Sequence, residues 1–230
     1  MITLDHIAPD EDPLLVWAAQ DMQPGSRAWA LGDAAAVARH RVANRDRLAV
    51  RGNPGDLDRL LRRIRPEVSD LFPVGDEELI KATPGLAVVA CFGWMDTTTP
   101  VPGAAADLVR VADDEVAAFL DAHHPHSFAR PGWPGVPTWL GLRDDAGELQ
   151  AVATDAWTTS RLGFISGVAT RTDLRGRGLA TRLCSALTNE LLRGRERVAL
   201  LVDHDNTAAV RTYERLGYAK RRIAAAKFAG

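Results

Sequence analysis

Two stretches of this chain combine residue types and spacing that can do chemistry. The first is Arg175-Gly176-Arg177-Gly178-Leu179-Ala180, which follows the apolar run 163–170 and opens a helical pattern reaching Arg193. A strand, a glycine turn and a helix start leave several backbone N–H groups unpaired and converging on one point, where the helix dipole adds partial positive charge. Phosphate binds well at such a point. Close helix–strand packing is the bland alternative, for which a lone Gly-x-Gly is equally good evidence. No Gly-Lys-Ser/Thr follows, so the Walker pattern is absent. The dinucleotide fingerprint lacks its third glycine and its acid on the next strand. The second stretch is His123-His124-Pro125-His126, with Asp121 nearby. Its residue types suit a metal, but proline interrupts helical spacing and no second ligand cluster occurs, so no metal is expected.

The elements that must hold these residues are readable along the chain. Trp29-Ala30-Leu31 ends at the turn pair Gly32-Asp33, and the alanine-rich segment after it fits either the second arm of a hairpin or a short helix. Residues 47–50 read as a strand ending at Gly52-Asn53-Pro54-Gly55. Asp56 then reads as an N-cap, because Leu57, Leu60, Leu61 and Ile64 follow amphipathic helical spacing, and Pro66 is expected to stop that helix. A short helix starts at Asp76, and residues 86–92 read as a buried strand. Thr97-Thr98-Thr99-Pro100-Val101-Pro102-Gly103 is the linker candidate, which places a boundary near residue 103 and domains at 1–103 and 104–230.

Beyond it, residues 108–112 read as a strand and Asp113-Asp114-Glu115 as the acidic start of a helix reaching about Ala122. Residues 123–137 form an irregular loop. Residues 138–142 and 149–157 pair around Asp144-Asp145-Ala146-Gly147, and 161–170 is a third strand. Leu179, Leu183, Leu187 and Leu191 make a stripe facing a sheet, with Gly194 ending the helix. Residues 198–202 are the next strand, Asn206 begins a helix ending at Gly217, and Tyr218 with 223–228 closes the fold. The class is therefore α/β, of the α+β type: a mixed, mostly antiparallel sheet flanked by helices, with a smaller N-terminal α/β domain.

Composition bounds the partners. The 230 residues carry a formal net charge of −2 and an ordinary apolar fraction, which excludes a global field for nucleic acid or anionic membrane. Acids Asp5, Asp10, Glu11 and Asp12 stand where a signal peptide needs a basic region, and no apolar run reaches the roughly 20 residues of a membrane span. Two cysteines, Cys91 and Cys184, far apart, argue against a disulfide framework. A reducing cytoplasm is the expected setting.

The glycine turn resembles the acetyl-CoA pyrophosphate loop of the GCN5-related N-acetyltransferases, the GNAT superfamily, written Arg/Gln-x-x-Gly-x-Gly/Ala. Arg175, Gly178 and Ala180 match it. Val168-Ala169-Thr170 resembles the family's signature strand, and Asn206, Ala209, Tyr213, Glu214, Gly217 and Tyr218 match its Asn-x-x-Ala-x-x-x-Tyr-Glu-x-x-Gly-Phe/Tyr stretch. Two motifs in the right order, separated by a helix and a strand, are far more specific than either alone. The resemblance covers about residues 105–230.

It implies a GNAT fold and acetyl-CoA as co-substrate. The N–H groups of Gly176, Arg177, Gly178, Leu179, Ala180 and Thr181 would hold the pyrophosphate, with charge-assisted help from Arg175, Arg177 and Arg182, whose alternative is a solvated face. Val168, Ala169 and Thr170 would pair with the pantetheine arm, Gly167 marking a bulge. Asn206 and Ala209 would sit near the thioester, although Asn206 also suits a plain N-cap. By resemblance Tyr213 is the general acid that protonates the departing thiolate, the alternative being a core tyrosine. The reaction implied is direct attack of a neutral primary amine on the thioester, with strand N–H groups near Val168 stabilising the oxyanion.

For the base, Asp203, His204 and Asp205 lie at the end of the preceding strand, Asp155 is another option, and surface solvation or capping is the alternative for each. The 123–139 loop occupies the family's usual acceptor position, so Trp133, Trp139 and Trp157 are expected as pocket walls or as core. A small amine or amino acid suits this better than a protein acceptor, and a homodimer is compatible with it. A non-catalytic acyl-CoA-binding module is the rival from another class. Residues 47–65 resemble half of the same fold without its phosphate signature, as in the degenerate N-terminal halves of glycine N-acyltransferase-like proteins. Such a half would cover the acceptor site or extend the sheet without binding CoA.

Overall fold

A computed structural model of the chain describes residues 12–103 and 107–229, so the acids at 5, 10 and 11 and the expected absence of a leader fall outside the described residues. Two compact units are present. One holds the chain up to Trp94 together with Arg221 onward, and the other holds Met95–Lys220. This division differs from the boundary expected near residue 103, because the last strand of the chain pairs inside the first unit. The linker candidate is itself pinned: Asn189 accepts the N–H of Val101 at 2.7 Å and donates to its carbonyl at 3.0 Å.

In the first unit, α1 (Pro13–Ala19) precedes a hairpin of β1 (Arg27–Leu31) and β2 (Ala34–Val42), which decides the alanine-rich segment in favour of a strand. Then come β3 (Arg45–Arg51) antiparallel to β2, α2 (Pro54–Val68), β4 (Phe72–Asp76) parallel to β3, α3 (Glu77–Ala82) and β5 (Leu86–Thr97), which carries the chain into the second unit. The final strand, β11 (Ala219–Phe228), runs antiparallel to β4 with Ile223 opposite Asp76. The apolar face of α2, Leu57, Leu60, Leu61 and Ile64, packs with Ala36, Leu48 and Val50 of the sheet and with Ala224 and Ala226. Each such leucine contributes about 1.5–3 kcal/mol by leaving water.

Three expectations here need correction. Asn53, not Asp56, caps α2: its side-chain oxygen accepts the N–H of Asp56 at 2.9 Å, and Pro54 takes the first helical position, where no N–H is needed. The helix also continues past Pro66 to Val68, which is fully buried. Proline forfeits one hydrogen bond to the carbonyl four residues back, and burial of Val68 in the last turn offsets that loss. Finally, the run 86–92 is a strand but not a buried one: Val88 and Val89 are 40% and 47% exposed. An apolar run predicts extension, whereas coverage of its faces depends on what packs there.

In the second unit, β6 (Val109–Val111), α4 (Asp113–His123), an irregular loop, β7 (Trp139–Arg143), β8 (Leu149–Asp155) and β9 (Leu162–Thr170) follow one another, the four strands being mutually antiparallel neighbours. A 3-10 turn at Thr172–Leu174 leads to α5 (Leu179–Leu192), then β10 (Arg197–Val202), parallel to β9, and α6 (Thr207–Arg215). The leucine stripe of α5 packs with Ala151, Ala153, Ile165, Val198 and Leu200, as its fourfold spacing predicts. The observed sheet is mixed and mostly antiparallel, the GNAT arrangement expected from the motifs.

Candidate functional site

β9 changes partners along its length. Its pairing with β10 ends at Phe164 opposite Ala199, while its pairing with β8 continues to Thr170 opposite Ala151. Between Ser166 and Ala169 the β8 register shifts, so that Gly167 and Val168 together oppose one residue. This is the expected bulge, and Gly167 is required in it twice over. Its φ is +61°, and a Cβ there would lie 2.4 Å from the ring of Trp139. Val168, Ala169 and Thr170 thus lie on a strand segment with no registered partner on the β10 side. A strand edge of this kind can pair with an extended amide-bearing arm.

The chain then turns through Thr172–Leu174 to Arg175, and Gly176 and Gly178 both adopt left-handed backbone at φ +79° and +78°. Among the described residues, no atom beyond the adjoining residues of the chain lies within 4 Å of a Cβ placed at either, so glycine serves conformation and open approach there, not packing against a neighbour. Gly178 is the N-cap of α5 and supplies no side chain to cap it. The first intrahelical bond runs from Arg182 N–H to Gly178 O at 3.0 Å, which leaves the N–H groups of Leu179, Ala180 and Thr181 without an intrahelical acceptor. The first turn carries no acid. Arg177 and Arg182 are exposed and in no ion pair among the described residues, whereas Arg171 pairs with Asp173 at 2.9 Å. Arg175, expected at the phosphates, donates instead to the carbonyl of His123 at 2.6 Å. The backbone positions from Gly176 to Thr181 thus lie at the open start of α5, while Arg175 is turned toward His123.

On α6, Asn206 acts as the N-cap, its Oδ1 accepting the N–H of Ala209 at 3.1 Å. Tyr213 is 7% exposed, and its side chain lies beside the Cys184 thiol of α5. Burial raises the phenol well above its ordinary range, and burial likewise pushes the Cys184 thiol up to about 12, against a smaller opposing effect of Tyr213. The ring lies 5.8 Å from that of Tyr218, whose hydroxyl meets Thr188 at 2.7 Å.

Of the candidate bases, Asp155 is committed to structure: it accepts from Thr158 and faces Arg195 at 3.6 Å. Asp203 and Asp205 are exposed in the turn between β10 and α6, and His204 between them is half-buried. Two of the three expected pocket walls are core: Trp139 and Trp157 are 1% and 4% exposed. Trp139 lies under the bulge at Gly167, and Trp157 donates to Pro134 O at 3.0 Å. Trp133 is exposed at 40%, as is Phe128 at 61%, an aromatic the sequence reading passed over. Among the described residues no group of three or more His, Cys, Asp or Glu could hold a metal ion.

One connection escaped sequence reasoning. His123, at the end of α4, accepts the N–H of Thr172 on its Nδ1 at 3.3 Å, while its carbonyl takes the Arg175 bond. The partners are 49 and 52 residues away in sequence, so no local spacing signals the contact.

Residues 139–226 match the family described as FR47-like protein. Over 215 residues the chain is 32% identical to a mycothiol acetyltransferase of Mycolicibacterium smegmatis, covering 85% of this chain and 62% of that one. A second mycothiol acetyltransferase, from Kytococcus sedentarius, is 27% identical over 223 residues, covering 96% of this chain and 67% of the relative. The chain thus spans less than two thirds of the first relative's length. Among solved structures, a GCN5-related N-acetyltransferase from Kribbella flavida superposes with a TM-score of 0.57 at 19% identity, covering 94% of this chain and 96% of that one. At that identity the likeness concerns the fold.

Proposed function

We propose that the chain is a member of the GCN5-related N-acetyltransferase superfamily and that it transfers an acetyl group from acetyl-CoA to a primary amine of a small molecule. The observation that carries this reading is the uncapped N-terminus of α5, with two left-handed glycines, following a strand whose edge is released from β10. The N–H groups from Gly176 to Thr181 fit a pyrophosphate, and Arg177 and Arg182 add charge where no acid competes. Val168, Ala169 and Thr170 pair with the pantetheine amides, and Asn206 and Ala209 adjoin them.

In this reading the strand N–H groups near Val168 polarise the thioester carbonyl as the amine adds. An N–C bond forms, the C–S bond breaks, and the amine's proton passes to water or to Asp203, His204 or Asp205. Tyr213 is the proposed acid. Burial keeps its hydroxyl protonated, so that the hydrogen is retained until a departing thiolate can accept it. The N-terminal unit is read as a degenerate half that binds no CoA, which the self-capped α2 supports. A cytoplasmic setting and a homodimer complete the proposal, the latter checked by sedimentation of the purified protein.

The test is release of free thiol from acetyl-CoA in the presence of pooled primary amines, with a mycothiol-type acceptor included because two relatives carry that name. The expected outcome is acceleration by at least one pool. Binding of acetyl-CoA with no acceleration by any amine would reject the transferase in favour of a non-catalytic acyl-CoA-binding module.

A further inference from the structure

We propose that His123 is a positioning residue for the phosphates of the donor: its neutral ring and its carbonyl clamp segment 171–175 to the end of α4, and acid releases the clamp. The inference rests on the acetyl-CoA reading of the α5 N-terminus. The segment it holds is the 3-10 turn Thr172–Leu174 and Arg175, immediately before Gly176.

Three contacts build the clamp. Thr172 N–H donates to Nδ1 at 3.3 Å, with the Thr172 hydroxyl also 3.2 Å from that atom. Arg175 Nη2 donates to the His123 carbonyl at 2.6 Å. The imidazole stands edge-on to Phe119, centroids 4.7 Å apart, and Phe119 is itself buried at 8% exposure. A buried ring therefore sets the angle of a half-buried one, and the half-buried one holds a loop. An Nδ1 that accepts a backbone N–H carries no proton, which assigns the neutral tautomer with hydrogen on Nε2. Protonation puts a hydrogen on Nδ1, facing the Thr172 N–H, and leaves that amide without its acceptor. It also sets a positive ring beside the backbone carbonyl that Arg175 uses.

The surrounding charges do not substitute for His123 in this response. On its own helix and the loop after it stand Asp121, paired with Arg130 at 2.6 Å, together with His124 and His126. From the opposite segment come Arg171, Asp173 and Arg175. Asp173 is held below the usual carboxylate range, first by its bond from Arg171, so it keeps its charge as pH falls. Burial, then Arg175 and Arg130, hold His124 below the ordinary imidazole range, so it stays neutral further into acid.

The experiment is calorimetric measurement of acetyl-CoA Kd at about pH 8 and about pH 5.5 for wild type, His123→Asn and His123→Phe. Asparagine offers an oxygen near the Nδ1 position with no proton to gain. Phenylalanine keeps the packing on Phe119 and offers no acceptor. The expected result is a wild-type affinity that falls about tenfold more than that of His123→Asn between the two pH values, the scale of one backbone hydrogen bond. His123→Phe binds about tenfold more weakly than wild type already at pH 8. Titration of the donor's own phosphate, with a second pKa of about 6, affects all three proteins alike and cancels in the ratio. Parallel pH profiles for wild type and His123→Asn, or wild-type affinity in His123→Phe at pH 8, overturn the clamp. Failure of the wild type to bind acetyl-CoA at pH 8 overturns instead the reading of the site on which it rests.

Discussion

After antiparallel strands, both units turn from a strand into a helix that is followed by a parallel strand, β3 into α2 and β9 into α5, and the two helix N-termini are finished in opposite ways. α2 satisfies itself. Asn53 caps it, Pro54 removes one orphan donor, and Asp56 sits in the first turn accepting the N–H of Asp33 at 2.9 Å and the side-chain N–H of Asn53 at 2.9 Å. Those bonds, with Arg59, draw the Asp56 carboxyl down to about 2, so a fixed negative charge occupies the place a phosphate would need. α5 leaves its donors open, bends its entry through two left-handed glycines and has no acid in its first turn. One arrangement of elements is thus closed as a scaffold in α2 and, in the function proposed here, left open to an anion in α5. The difference lies in a few residues at the turn.

The largest effect is expected where the open turn is closed. Gly178→Asp places a carboxylate against the donor phosphates and should weaken acetyl-CoA binding by more than about 100-fold in calorimetry. Because no protein atom crowds that position, the cost to the fold is limited to left-handed strain, about 1–2 kcal/mol in a denaturant melt. Retained binding would mean that α5 is no more an anion site than α2. Next in size is the helix after the parallel strand, where α6 offers a hydroxyl at Tyr213 and α3 offers none. Tyr213→Phe should lower turnover by about 10² with acetyl-CoA affinity unchanged, read from separate kcat and Kd measurements. Unchanged turnover would leave Tyr213 as a core residue only. The smallest effect belongs to the closed turn. Asn53→Ala should cost about 1 kcal/mol of stability by removing the cap and leave acetyl-CoA affinity untouched. A loss of affinity there would break the division of labour between the two turns.

Much of the candidate site was legible because its signals are local. The glycines of the α5 turn, the Asn206 cap and the bulge at Gly167 each reflect what one residue's backbone or side chain does within a few positions. The aromatic residues were not legible in the same way. Trp139 and Trp157 have the composition of pocket walls and the burial of core, since an indole satisfies either role until its neighbours are known. Asp56 misled for a related reason: an acid before an apolar stripe looks like a cap, yet Asn53 three residues earlier takes that place and Asp56 reaches across to Asp33. The exposed half of β5 shows the same limit, as Val88 and Val89 signal a strand without signalling what covers it.

The sequence by itself determined the resemblance to the acetyltransferase motifs, the order of strands and helices in the second unit, and the turn from Arg175 to Thr181. Dihedral preference, apolar period and capping act over a handful of residues, and their signatures survive in one dimension. Only the tertiary structure decided that the last strand pairs with β4, that the Tyr213 side chain lies beside the Cys184 thiol, and that His123 holds Thr172 and Arg175. Those contacts join residues far apart in the chain. They form where the packing of whole elements leaves two groups within reach, and no spacing within the sequence records that distance.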